Sequence, residues 1–170
     1  MSSKATWGII ILIMSTIIFI GTCTTRIVSN IHFKQNCGGH LKRAADANTI
    51  ELAKEELAVA LAYMEREHLT SGYTSILYQT PDEDIGFWYK NILASHDELF
   101  NLSPDATSLE KSNMLIKLRE TLLDKGERSE DITCPDGIGV YPFNTLYAVI
   151  IFISTLGIAI PLCGIIISQD

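Results

Sequence analysis

Cys37-Gly-Gly-His40 and Glu65-Arg-Glu-His68 are the places where residue type and spacing suit metal or proton chemistry. A Cys-x-x-His pair is half of a zinc or redox pattern and needs a second pair of ligands nearby, which the flanking sequence lacks. Glu-x-x-His sets a carboxylate and an imidazole on one helix face, as in di-iron bundles, but such a centre requires a second copy and two further inward glutamates. None is evident, since Leu93 stands three residues before His96. A solvated helix end accounts for His68 better than a ligand role, and His96 reads as a satisfied, partly buried histidine with no nucleophile to serve. No catalytic, cofactor or metal set is therefore assigned, and the expected protein is not an enzyme. A small metal- or thiol-dependent enzyme using Cys37, His40 or His68 is the alternative.

Two other constellations carry more weight. From Tyr73 to Tyr89 the chain has its densest mixture of aromatic and acidic groups: Tyr73, Tyr78, Asp82, Glu83, Asp84, Phe87, Trp88 and Tyr89. Aromatics beside carboxylates suit a cage for a cation or an interface hot spot. The plainer account makes Trp88 and Phe87 core and the acids helix caps. Tyr73, Tyr78, Asp82, Asp84, Trp88 and Tyr89 are the candidate ligand or partner surface. The second constellation is Cys37 with Cys134, on the two flanks of the segment between the apolar runs, where an antiparallel bundle brings them within disulfide reach. A bridge closing so long a loop contributes about 4 kcal/mol in the chain-entropy model. Free thiols in a reducing compartment are the alternative, and Cys23 and Cys163 read as small membrane-compatible side chains.

These residues must be positioned by helices. Ala5 to Cys23 and Phe143 to Ile167 are apolar runs without an internal charge, each long enough at about 1.5 Å per residue for the roughly 30 Å hydrocarbon core of a bilayer. The first reads as an uncleaved anchor, with a cleaved signal peptide or a lipidated Cys23 as alternatives. In the second, Pro161 deletes a hydrogen bond and predicts a kink, while Gly157 and Gly164 offer small surfaces for helix packing. Only Ser168 to Asp170 follow, so any output past the membrane is expected from a partner.

Between the anchors, residues 24–142 predict an all-α, small antiparallel bundle. The expected helices run over about 40–69, 81–102 and 104–125, and an extension of the first membrane helix is a candidate fourth member. The inner faces are Ile50, Ala53, Leu57, Ala60/Leu61 and Met64, then Ile85, Trp88/Tyr89, Ile92 and Leu99, then Leu115, Leu118 and Leu122. Starts are marked by Thr80-Pro81-Asp82-Glu83 and Ser103-Pro104-Asp105, and stops by Gly72 and Gly126. Tyr73 to Gln79 reads as an ordered connection without a strand partner, and Glu127 to Gly139 as a loop.

The balance of 20 acidic against 13 basic residues, net −7, argues against nucleic acid and anionic headgroups as partners. The expected partners are the lipid bilayer and a membrane protein or a second copy of the chain. Positive-inside counting puts the bundle in the cytoplasm, but that rule weakens for long segments, and the cysteines favour an extracytoplasmic bundle with both termini cytoplasmic. The order anchor, bundle, anchor resembles the sensory half of bacterial chemoreceptors and sensor kinases, which implies a sensor-like binding role without their signalling domain. A structural subunit of a larger membrane complex is a further reading.

Overall fold

The computed structural model describes residues 3–125 and 130–167. Gly126, expected as a helix stop, and the tail Ser168 to Asp170 lie outside the described residues, as do Met1 and Ser2. The chain is all-α: α1 (Ser3–Phe33), α2 (Gly39–Ala45), α3 (Ile50–Arg66), α4 (Ile85–Phe100), α5 (Ser108–Leu122) and α6 (Asn144–Ile167), with one small hairpin of β1 (Leu123–Lys125) and β2 (Glu130–Ile132). It divides into two compact units, residues 30–141 and the pair of segments 1–29 and 142–170.

Two helical stretches, Thr6–Ala45 and Asn144–Gly164, are long and apolar enough to cross a membrane. Large apolar side chains such as Ile13, Ile17, Phe152 and Ile153 are exposed. Gly157 of α6 lies against Ser15 of α1, where a Cβ would collide with the serine side chain. Gly164 has open space around it, and α6 runs through Pro161 as one helix.

Residues 30–141 are built on the predicted faces, with several corrections at the ends. Ile50, Ala53, Leu57, Ala60, Leu61 and Met64 of α3 are buried, as are Ile85, Trp88, Ile92 and Leu99 of α4 and Leu118 and Leu122 of α5. The chain stays helical through Cys37-Gly38-Gly39. A π turn, Lys34–Gly38, absorbs those residues and passes α1 into α2, so Phe33, Cys37, Leu41 and Ala44 join the core.

The expected 40–69 helix is two helices. It breaks after Ala45 and restarts at Ile50, where the Thr49 hydroxyl accepts from the Leu52 amide at 3.2 Å. It also stops early. Leu69 N–H donates back to the Met64 carbonyl at 2.7 Å, and the left-handed residue that ends the helix is His68, at φ 58°, rather than Gly72. Gly72, at φ 102°, instead turns the next segment beneath the Tyr141 ring, whose hydroxyl donates to the Ser71 carbonyl at 3.2 Å.

The helix expected from 81 begins as a single 3₁₀ turn, Pro81–Glu83. The α-helix starts at Ile85 because Asp84 caps it, accepting from the Phe87 amide at 3.0 Å. The helix expected from 104 starts at Ser108, where Thr107 and Glu110 form a reciprocal capping box. It ends at Leu122 rather than Lys125, since Leu123 turns extended and pairs antiparallel with Ile132. The loop expected over 127–139 thus contains β2 and a 3₁₀ turn, Ile138–Val140. There Gly139 lies against Asn30, and a Cβ on it would stand 3.0 Å from the Asn30 Cα.

Candidate functional site

The 3₁₀ turn at Pro81, the start of α4 and the segment around the hairpin enclose an open groove of about 790 Å³. Asp82, Glu83 and Asp84 line one side, and Asp124, Asp131 and Asp136 the other. Phe87 and Trp88 provide aromatic surface between them, and no Lys or Arg is among the described residues lining the groove. Six carboxylates around one hollow create a negative potential that a desolvating cation would relieve. An adjoining hollow of about 440 Å³ shares Asp82, Glu83 and Asp136 and is walled by Ile76, Leu77 and Tyr78. Leu77 and Tyr78 are 83% and 78% exposed, so this rim presents apolar and aromatic surface to solvent.

The structure sorts the predicted surface residues. Asp82, Asp84 and Trp88 share the groove, and Tyr78 stands at its rim. Trp88 is buried, and its indole N–H donates to the Thr133 carbonyl at 2.6 Å, which ties α4 to the opposite wall. Tyr89 turns away from the groove: its hydroxyl donates to Glu65 at 3.0 Å, and burial and that bond raise the phenol's pKa. Tyr73 forms an isolated backbone bridge with Asp84 and lines neither hollow. The acids of the hairpin side, Asp124, Asp131 and Asp136, are missing from the sequence-based surface. Their only local signal is the turn-forming Pro135-Asp136-Gly137 run, which marks a bend but not what it faces.

All four cysteines are free thiols. Cys37 is wholly buried and Cys134 partly so, and both belong to the same packed core. Burial pushes the Cys37 thiol up to about 12, with the charge on Cys134 adding to it. Cys134 is pushed up to about 11 by burial and then by Asp131 and Asp136, while Lys34 acts in the opposite direction.

His40 has a partner that the sequence reading overlooked. Its Nδ1 lies 2.6 Å from Glu56 Oε2, and the Arg43 guanidinium lies 2.5 Å from Oε1. Glu56 is buried, on the same α3 face as Ala53 and Leu57. An acidic residue in step with an apolar stripe was the available signal, and here it marks an ion pair that joins α2 to α3. Glu65 and His68 do not share a helix face, because α3 ends between them. Among the described residues, no three His, Cys, Asp or Glu side chains converge as metal ligands.

No protein-family model matches the chain, and neither a curated protein nor a solved structure matches it significantly.

Proposed function

We propose that this is a two-pass membrane protein that acts by binding, an accessory or sensor-like protein whose domain 30–141 takes a cationic segment of a partner into the acidic groove. The observation that carries this reading is the ring of six carboxylates around Phe87 and Trp88 with no facing base among the described lining residues. A basic partner gains there from the groove's potential, and a lysine or arginine head gains again over an aromatic face. The exposed Ile76, Leu77 and Tyr78 beside the groove supply apolar contact that charge alone would not. The partner is a membrane protein or a second copy of this chain, held close by the two apolar helices. In this reading the domain lies on the extracytoplasmic side with both termini in the cytoplasm, a side where Cys37 and Cys134 meet an oxidising environment.

The test is titration of full-length protein in detergent with a fluorescent lysine-rich peptide, against an acidic peptide as control. The expected result is binding of the basic peptide alone, weakened by about 0.5 M salt and at least about tenfold weaker in Asp82→Asn/Asp131→Asn/Asp136→Asn. Equal affinity in that variant, with its helical content intact, removes the groove as the binding surface.

A further inference from the structure

The end of β2 runs directly over the π turn that carries Cys37. Ile132 packs on Gly38 so closely that a Cβ there would lie 2.8 Å from the Ile132 terminal methyl, a contact only glycine permits without displacement. The next residue, Thr133, is held by the Trp88 indole at 2.6 Å, and the Trp88 ring lies 6.3 Å from Phe33, one turn before Cys37. Cys134 follows immediately, packed against the core that contains Cys37 and exposed in part at the groove wall. Both thiols thus belong to one packed core, and neither takes part in a cluster of metal ligands among the described residues.

We propose that Cys37 and Cys134 are a redox pair whose disulfide fastens the Asp131 to Asp136 wall of the groove to the π turn, so that oxidation sets the groove in its binding shape. The oxidant is a low-molecular-weight disulfide. Cys134, the more accessible sulfur, loses its proton and attacks one sulfur of the oxidant, releasing one thiolate and leaving a mixed disulfide. Cys37 then loses its proton and attacks the Cys134 sulfur, expelling the second thiolate. Two protein thiols are oxidised to one disulfide while the small disulfide is reduced to two thiols, and two protons leave the protein for the released thiolates. Thiol reductants reverse the sequence. Control of binding rests on the groove being the binding surface, whereas formation of the bridge does not.

The full-length Trp7→Phe variant in detergent, in which Trp88 is the sole tryptophan, is treated with glutathione disulfide and then with dithiothreitol. The expected outcome is loss of two hydrogens in mass and a peptide linking the Cys37 and Cys134 segments. Amide exchange across residues 131–136 slows by about tenfold, and Trp88 emission changes. Dithiothreitol restores the starting state, and Cys134→Ser removes every change. Two free thiols after oxidation, or a mixed disulfide persisting on Cys134 beside a free Cys37, overturns the pair. A mapped bridge with exchange and emission unchanged overturns its control of the wall. No peptide ligand is present in this measurement, so failure of peptide binding and failure of the bridge are separate results.

Discussion

Glu56 carries a carboxylate into the face of α3 on which α2 packs, and its oxygens are shared between His40 and Arg43. Removing the acid strands a histidine that has no other partner at that distance among the described residues, and leaves a small void beside Ala53 and Ala60. Arg43 is well exposed and loses little. Glu56→Ala is therefore expected to lower stability by about 1–3 kcal/mol, read from denaturant unfolding in detergent, with Glu56→Gln milder because it keeps the volume. The buried thiols make an opposite kind of statement. An acid whose folded pKa lies above its unfolded value stabilises the fold fully below the unfolded pKa, near 9.0 for a thiol, and loses that contribution as pH rises through about 12 for Cys37. Reduced protein should thus lose stability steeply above pH 9, and Cys37→Ala should show a shallower slope in pH-dependent melting. The oxidation rate should also climb by roughly tenfold per pH unit until Cys134 ionises near 11. The bridge expected between Cys37 and Cys134 is not formed in the structure, which holds both as free thiols of one packed core. Glu56 carries no local mark of its pairing, because His40 and Arg43 lie on a separate helix that only folding brings against it.

The helices show which signals outrank others. Ser103-Pro104-Asp105 has the form of a helix start, yet the first turn forms at Thr107, where Glu110 accepts from both the Thr107 amide and hydroxyl. Reciprocal capping satisfies two otherwise unpaired donors, whereas a proline only tolerates the position. Thr107→Ala is expected to cost about 1 kcal/mol, visible as a lower unfolding midpoint with the helical signal below it unchanged. The break between α2 and α3 contains neither Gly nor Pro and so carries no breaker residue. It appears instead as a phase slip between Ala44/Ala45 and Ile50. The π turn is hidden for the same reason: Phe33, Cys37 and Leu41 keep a plausible spacing of four, and the widened turn changes backbone bonding without changing residue type. The hairpin depends on Leu123 pairing with Ile132, a contact between segments that local propensity does not encode.

At the scale of the whole molecule, two apolar helices and one all-α domain between them were legible from charge and hydropathy alone, because long runs without a charge stand out from an amphipathic pattern. The acidic groove was half legible. Its 82–88 side is contiguous in sequence, whereas its other side comes from residues 124–136, brought opposite only by folding. The proposed two-pass arrangement makes a topological prediction. With the domain outside the cytoplasm, Tyr78→Cys should react with a membrane-impermeant maleimide in intact cells and a cysteine at Ser2 should not. The reverse pattern would place the domain in the cytoplasm. The contact between Asn30 and Gly139 has a consequence of another sort. A domain whose chain enters and leaves at one spot asks its host for two neighbouring attachment points and nothing more. Residues 30–141 should therefore be transplantable: spliced into the opened turn of an unrelated soluble helical hairpin, they need not prise its helices apart, and recipient and insert would each melt at their own temperature.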